Sequence, residues 1–316
     1  MQNNDQMDIL QQLFSKAQYY QKCSICNKEF GEGESVCLGF DVNGALICTG
    51  KCCKQNVKQP IYSSNYIKRV YTIPDDEDVL WRYLTFPKFV SMLKTQSLFF
   101  SRVDKFNDPF EGAKGLIENE GKWDSSYKNI FKFAIGLSSQ LTESQMEAHC
   151  NAMLDGFKMM CKVERLHTFI NCWHKNDCES EAMWKLYCSD LTQGLAIKTT
   201  YKKLSKELNH ISDIKIGEVQ YIDYTNRLLG PQDAFWFKRK TFEHEKEVRV
   251  LIHNVQDFEE EKEGIDIPVS LDRLIDSVYV SPVAPQWFVD VVDDITKRYG
   301  LDKRVRQSDL GAKPFY

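Results

Sequence analysis

The sequence predicts an α+β fold preceded by a small cysteine-rich domain. Six of the eleven cysteines crowd into residues 23–53, and this clustering marks a separate module. From Val79 onward, strand and helix patterns follow one another without the regular β-α alternation of a doubly wound sheet. We therefore predict an N-terminal helix and cysteine module over residues 1–60, a linker over 61–77 and an α+β domain over 78–316.

Hydrophobic periodicity justifies each element in order. Apolar side chains at helical spacing predict an amphipathic helix over residues 7–20, and the polar segment 56–77 with its two prolines predicts a connector. Helical patterns predict an inserted pair of helices within about 115–165, and a last helix that stops at Gly300. Strand patterns, which predict a mixed or antiparallel sheet, occur in LWRYL, SLFFSR, TFINCWH, GLAIKTT, EVQYIDY, EVRVLI and DSVYVSP.

Composition excludes several classes of protein. The chain has 42% apolar and 27% charged residues, as expected for a globular domain with a sizeable core. Its net charge of −4 provides no overall basic field for nucleic acid or an anionic membrane. No apolar run approaches the roughly 20 residues that span a bilayer, and the N-terminus lacks the pattern of a signal peptide. These features predict a cytoplasmic protein.

The cysteine module has the spacing of a metal site. Cys23 and Cys26 form a C-x2-C pair, and Cys48 with either Cys52 or Cys53 forms a second pair about twenty residues later. Thiolates in such pairs suit tetrahedral zinc, and four of them leave no open coordination position for chemistry. We predict a structural Zn2+ ion. The arrangement is similar to treble-clef zinc fingers.

The charge of this module disfavours contact with nucleic acid. Residues 1–60 contain six lysines and six acidic residues, and four thiolates around zinc add further negative charge. A protein partner or a stabilising role is the prediction that remains, although nucleic acid as a partner stays open.

The stretch KTFEHEKEVRVLI at residues 240–252 is predicted to be a strand with an unusual acidic face. Glu243, Glu245 and Glu247 occupy alternate positions and Arg249 follows them, so all four side chains would share one face. Adjacent like charges destabilise a strand, which indicates that this face has a function. We predict a solvated role for Glu243 and a functional role for Glu247.

Five stretches in the larger domain match one family pattern in order. They are LWRYLTFPKFVSML, SLFFSRVDKFNDPFEG, the stretch from Asn171 to Thr200, FEHEKEVRVLI and LIDSVYVSPVAPQW. Together they resemble a prokaryotic domain-of-unknown-function family, the one numbered two-nine-seven-one. The resemblance covers about residues 78–316, excludes the cysteine module and implies no chemistry.

A more remote resemblance does imply chemistry. The stretch from Leu80 to Ser101 is similar to the opening of ADP-ribosyltransferases of the DNA-modifying toxin type, with Arg82 at the first motif position. The stretch after Glu247 resembles the region of their catalytic glutamate, and Glu245 completes an E-x-E spacing. The middle motif is open among Trp184, Tyr187 and Thr199. The resemblance implies a sheet core of ADP-ribosyltransferase type and NAD+ as a substrate.

Transfer of ADP-ribose requires three kinds of group. A carboxylate, here Glu247 with Glu245 beside it, stabilises the positive charge that develops as nicotinamide leaves. A cation such as Arg82 can hold the diphosphate in a bidentate manner. Aromatic or hydrogen-bonding side chains would hold the nicotinamide end, and the candidates are Trp81, Tyr83, Trp184, Tyr187 and His174.

Three functions compete at this point. The first is an ADP-ribosyltransferase or NAD+ hydrolase, in the role of a bacterial toxin or antiphage effector, with the ADP-ribose acceptor open. The second is a metal-dependent nuclease in which Glu245, Glu247 and Asp108 hold Mg2+. The third is a non-catalytic module that a partner recruits through the zinc domain. Asp108 and Glu111 flank a predicted turn, and Glu111 is a further candidate to line a site.

Overall fold

The fold comes from a computed structural model that describes most of the chain. The described residues are 22–31, 34–65, 71–136, 141–188, 190–226, 229–230, 233–253 and 262–316. The predicted helix over residues 7–20 lies outside them. Mixed helices and strands with a mostly antiparallel sheet confirm the predicted α+β class.

The chain divides into two compact units. The first comprises Met1–Val70 with Asp124–Leu154, and the second comprises Tyr71–Trp123 with Asp155–Tyr316. In the first unit, strands β1 (Ser35–Phe40), β2 (Leu46–Thr49) and β3 (Gln59–Asn65) form an antiparallel sheet in the order β2-β1-β3. Residues 61–65, which the sequence assigned to a linker, therefore belong to a strand.

The remaining elements follow in chain order. The helices are α1 (Phe86–Thr95), α2 (Glu120–Gly136), α3 (Glu143–Leu166), α4 (Glu181–Tyr187), α5 (Tyr201–Leu208), α6 (Leu271–Leu274) and α7 (Gln286–Arg298). The strands are β4 (Val79–Thr85), β5 (Ser97–Arg102), β6 (Thr168–Lys175), β7 (Gly194–Thr200), β8 (Lys215–Glu218), β9 (Gln220–Ile222), β10 (Phe237–Arg239), β11 (Glu247–His253), β12 (Gly264–Pro268), β13 (Ser277–Val280) and β14 (Val305–Gln307). Among the described residues, no helix combines the length and hydrophobicity needed to cross a membrane. Helices α2 and α3 correspond to the predicted helical insertion.

Nine strands of the described chain form the main sheet, and β6 lies at its centre. The order is β12-β5-β6-β4-β7-β13-β14, with β11 pairing the other edge of β6 and β8 pairing β11. The β13–β14 pair is parallel and the other pairs are antiparallel. On one edge of β6, β5 pairs with Phe169–Ile170 and β4 pairs with His174–Lys175. The sheet is therefore split opposite residues 171–173.

The two faces of the sheet carry different side chains, because successive residues of a strand point to opposite sides. One face packs the main hydrophobic core, to which β4 contributes Leu80 and Leu84, β6 contributes Trp173 and β11 contributes Val248 and Val250. Helices α1, α5 and α7 cover this core through Phe89, Leu204 and Phe288, which are among its buried members.

The opposite face combines aromatic and charged residues. Trp81 and Tyr83 pack there with Met183 and Trp184 of α4. Strand register extends the same face across the split, because Trp81 pairs with His174 and His174 pairs with Glu247. This face contains the candidate site.

The predicted strand over residues 242–252 is wrong in its first half. Lys240–Glu245 form a 3-10 helix, Lys246 has the left-handed φ of 39°, and the strand begins at Glu247. The three glutamates do not alternate along one strand. Glu243 is exposed, whereas Glu245 returns to Glu247 through the turn at Lys246, and both carboxylates are buried.

Close packing around β8 gives a test of the fold. A Cβ at Gly217 would overlap the ring of Tyr71, which stacks on Trp236 with ring centroids 3.9 Å apart. We expect Gly217→Ala to lower the free energy of unfolding by about 1–3 kcal/mol through overpacking. Gly121→Ala in α2 is the control, because nothing lies within 4 Å of its added Cβ. Alanine favours helix by about 1 kcal/mol there, so denaturant titration should show opposite signs.

Candidate functional site

Four cysteines of the first unit form a cluster suited to a metal ion. The sulfur atoms of Cys23, Cys26, Cys52 and Cys53 all lie within 4.8 Å of one another. The first pair lies in a tight turn that Asn27 closes with a φ of 58° and an N–H bond to the Cys23 carbonyl. Four convergent thiols in two turns can hold one metal ion.

The ligand set that the structure brings together differs from the predicted one at Cys48. Cys52 and Cys53 both join the cluster, whereas the sequence analysis took one of them together with Cys48. Cys48 lies in β2 opposite Leu38 and donates its backbone N–H to Ser24 Oγ at 3.0 Å, so it supports the first cysteine turn. Burial, with Cys23 and Cys37 nearby, raises the pKa of Cys48 to about 12.

The cluster favours the thiolate at Cys23. Burial alone would raise the pKa of Cys23, but hydrogen bonds from the backbone of Cys26 and Ile25 and from neighbouring thiols lower it to about 7. A thiol that ionises near neutral pH is prepared to bind a metal ion.

In the second unit, five charged side chains form a buried network. Lys238 Nζ lies 2.5 Å from Glu245 Oε2 and 3.1 Å from Glu247 Oε2. Glu111 Oε1 lies 3.6 Å from the same nitrogen. Lys238 is therefore surrounded by three carboxylates, all of them almost fully removed from solvent.

Arg249 completes this network on the same sheet face. Its Nε lies 2.5 Å from Glu247 Oε1 and one terminal nitrogen lies 2.8 Å from Glu111 Oε1. The other terminal nitrogen donates to the Phe235 carbonyl at 2.7 Å. The guanidinium is fully buried, so these acceptors replace its hydration.

The network holds Glu247 in its ionised form. Burial alone would raise the pKa of Glu247, but Arg249 and Lys238 outweigh burial and lower it to about 2. For Glu245 the balance is reversed, because burial outweighs Lys238 and raises the pKa of this carboxyl. Burial would lower the pKa of Lys238, but Glu247 and Glu111 raise it above its usual range. The pKa values of Glu245 and Glu247, which are only two residues apart, are thus shifted in opposite directions.

Backbone and ring atoms orient the two glutamates. The Glu247 N–H donates to Tyr221 Oη at 2.7 Å. His174 Nδ1 lies 2.5 Å from the Glu245 carbonyl, and a carbonyl only accepts, so Nδ1 carries the proton. His174 Nε2 is then an acceptor, and it is buried without a hydrogen-bond partner among the described residues. Burial lowers the pKa of His174 and keeps the ring neutral.

Cys172 opens the network to solvent. It pairs with Arg249 in the sheet, and its thiol hydrogen bonds to Glu247. Burial and then Glu247 raise its pKa well above the usual value, yet the residue keeps part of its surface exposed.

The predicted aromatic residues gather on the same face. Tyr83 and Trp184 pack edge to face with centroids 5.0 Å apart, and the Tyr83 ring lies 6.2 Å from His174. Tyr83 Oη accepts the Ser180 N–H and Trp184 Nε1 donates to Glu179, so both rings are fixed. Tyr187 is 43% exposed, and burial and then Glu245 raise the pKa of its hydroxyl.

Arg82 does not share the face of Glu247. It lies between Trp81 and Tyr83 in β4, so its side chain projects to the opposite side of the sheet, where its guanidinium lies 5.9 Å from the Trp173 ring. It donates to the Phe99 carbonyl at 3.2 Å, as Asn171 does at 2.8 Å. Arg82 therefore lies at the split between β4 and β5, apart from the charged network.

Lys238 is the member of the network that sequence reasoning missed. It stands in FWFKRK, a stretch about which the sequence analysis made no prediction. A lysine directly after three aromatic residues and seven residues before Glu245 was the available signal. Asp108, the predicted third nuclease ligand, instead pairs with Arg239 at 2.7 Å.

Comparisons with known proteins add no relative. No family model matches the chain, and neither the curated proteins nor the solved structures contain a match. The two resemblances drawn from the sequence therefore stay predictions, and the function rests on the geometry of the site.

The network predicts a large effect of removing its central cation. We expect Lys238→Met to lower the free energy of unfolding by about 3–5 kcal/mol, because it leaves buried carboxylates without their counterion. Lys240→Met, at an exposed position two residues later, should change stability by no more than about 0.5 kcal/mol. Urea denaturation of both variants measures the difference. Equal, small losses would mean that the network contributes nothing to stability.

Proposed function

We propose that the second unit breaks the bond between nicotinamide and ribose in NAD+, as an ADP-ribosyltransferase or NAD+ hydrolase. The observation that carries this proposal is the buried Glu247 carboxylate, whose pKa Arg249 and Lys238 lower to about 2. A carboxylate that stays ionised in a water-poor environment stabilises positive charge much more strongly than one in water.

In the proposed step, the negative charge of Glu247 lies beside ribose C1′, the atom at which positive charge develops. The bond between ribose C1′ and the nicotinamide nitrogen breaks, nicotinamide leaves with the electron pair, and C1′ acquires oxocarbenium character. Glu247 stabilises this centre, and an acceptor or water then attacks C1′ and loses a proton. Glu245, whose pKa burial raises, is suited to take up that proton.

Room for a ligand is the second support. The split leaves residues 171–173 without a strand partner on one edge of β6, and Cys172, which is partly exposed, lies beside Glu247 at this split. Tyr83 and Trp184 are buried in their own cluster and support this face from behind, whereas Tyr187 is 43% exposed and can offer a ring to nicotinamide. The unpartnered His174 Nε2 is a buried acceptor on the same face.

Arg82 lies outside the proposed site. Because its guanidinium is on the opposite side of the sheet, it is not placed to hold the diphosphate of a ligand that reaches Glu247. The proposed site rests on Glu247, Glu245, His174 and the aromatic side chains.

The geometry favours a transferase over a metal-dependent nuclease. A bridging Mg2+ ion would need the carboxylate oxygens of Glu245 and Glu247 that converge on one point. Lys238 Nζ occupies that point, bonded to both, and Asp108 is paired with Arg239. An internal ammonium thus takes the position that the nuclease mechanism would give to a metal ion.

For the first unit we propose a structural zinc ion held by Cys23, Cys26, Cys52 and Cys53. Four thiolates fill a tetrahedral zinc site, which supports a structural role, and the small sheet β1–β3 adds little core of its own. Contact with a protein partner is the role that the balanced charge of this unit favours.

Glu247 gives the direct test of the enzymatic proposal. Purified protein incubated with NAD+ should release nicotinamide, and Glu247→Gln should lower the rate by at least about a hundredfold. Because the carboxylate is buried in the network, Glu247→Gln also destabilises the fold. Glu247→Asp keeps the negative charge beside Lys238 but shortens the side chain by one methylene group, so the carboxylate lies farther from ribose C1′. We expect the rate to fall by about a hundredfold because the carboxylate is misplaced.

Glu243→Gln is the matched control, because Glu243 is exposed and belongs to the same 3-10 helix as Glu245. It should keep the rate of nicotinamide release and the melting temperature. Unchanged release by folded Glu247→Gln and Glu247→Asp would end the assignment of Glu247. Absence of release by folded wild-type protein, with candidate acceptors present, would contradict the proposed function itself.

Elemental analysis tests the zinc proposal. The purified protein should contain about one zinc ion per chain, and both Cys26→Ser and Cys52→Ser should lose it. Cys178→Ser, at an exposed cysteine far along the chain, should keep it. Zinc-free protein with residues 22–65 still ordered would contradict the site. Loss of zinc in Cys48→Ser but not in Cys52→Ser would restore the ligand set predicted from the sequence.

A further inference from the structure

A polar groove of about 630 Å³ lies on the second unit, formed by residues that neither the network nor the aromatic face uses. This volume is within the range of sites for small molecules. The groove lies between the end of α1, the end of α5 and the segment that leads into α6. Its lining is Thr95, Gln96, Lys206, Glu207, Asn209, His210, Pro268, Val269, Ser270 and Arg273.

One ion pair fixes a guanidinium in this groove. Arg273 donates from Nε to Glu207 Oε1 at 2.6 Å and from a terminal nitrogen to Glu207 Oε2 at 3.1 Å. Glu207 is buried and also accepts the Ser270 N–H at 3.1 Å, so it cannot rotate away. An arginine has five N–H donors, and this side-on pairing leaves three of them free to bind another acceptor.

The groove has an excess of positive charge. Glu207 is its only carboxylate, and Arg273 neutralises it. Lys206 forms no ion pair closer than 4 Å with any described residue. The hydrogen bond from Arg273 lowers the pKa of Glu207 against the effect of burial, and the Ser270 N–H and the charge of Lys206 lower it further. An anion that enters the groove thus meets a fixed guanidinium and an uncommitted ammonium.

Neutral groups complete a binding surface. Asn209 offers an exposed polar side chain, whereas the Thr95 hydroxyl already bonds the Ser91 carbonyl and Ser97 Oγ. Pro268 is exposed and offers an apolar contact, and Val269 belongs to the buried core. Sites for small charged metabolites commonly combine a few fixed donors with such an apolar contact.

We propose that this groove binds a small phosphate-bearing molecule. Arg273 presents its free N–H donors to the phosphate oxygens in a forked arrangement, and Lys206 provides a second charge. The inference is independent of the proposed NAD+ chemistry, because the groove and the network share no residue.

Titration calorimetry with inorganic pyrophosphate and with ADP tests the inference on the full-length protein. Wild type should bind at least one of these probes, with ADP the tighter if its base packs on Pro268. Lys206→Glu should weaken binding by about tenfold or more, since it replaces an ammonium that attracts the phosphate by a carboxylate that repels it. Lys202→Glu is the matched control, because Lys202 is exposed on the same helix α5 and faces Asp76 and Glu77.

Arg273→Lys gives a second variant that keeps the charge but loses the fork. It should also weaken binding, and its melting temperature reports whether the Glu207 contact survives. Binding that is equal in wild type, Lys206→Glu and Lys202→Glu would reveal attraction by the general surface and overturn the site. Absence of binding of both probes to folded wild type would overturn it as well.

Discussion

The second unit depends on one buried cation, the guanidinium of Arg249. Removing this group from water is costly, so it requires acceptors on every side. Glu247 supplies them from its own strand, Glu111 from the turn after β5, and the Phe235 carbonyl from the 3-10 helix before β10. The Arg249 side chain therefore joins three separate segments of the chain by hydrogen bonds. The charged network is a condition of the fold as well as the proposed reaction site.

This dual role explains why Glu247 and Glu245 behave differently. Each accepts a bond from Lys238, but only Glu247 also binds Arg249. With this additional cation, the pKa of Glu247 is lowered by more than burial raises it. A fold that merely needed to neutralise Arg249 could do so with a single carboxylate. The additional Glu245–Lys238 pair removes two more charges from water, and buried charges with strongly shifted pKa values are concentrated at functional sites.

Sequence patterns predicted the elements whose signal is local. The α+β class, the helical pair and most strands follow from apolar periodicity, and the proximity of Cys23 to Cys26 follows from their spacing. The predictions from sequence patterns were wrong where tertiary contacts determine the local conformation. Alternating glutamates predicted a strand, but Lys246 takes a left-handed turn so that Glu245 can reach Lys238. Arg82 could not be placed, since its position relative to Glu247 depends on strand register across nearly a hundred residues. Lys238 could not be placed because its strand pairs with β9 outside the main sheet.

The span of Arg249's contacts has a consequence for how the protein is made. Glu111 and Arg249 are 138 residues apart, and β11 must insert beside β6 before either charge is compensated. A ribosome releases residue 111 long before residue 249. A nascent chain, or a fragment cut before β11, therefore cannot assemble the network. This order of synthesis delays assembly of the network until β11 has been made, and no fragment that ends before β11 can contain it.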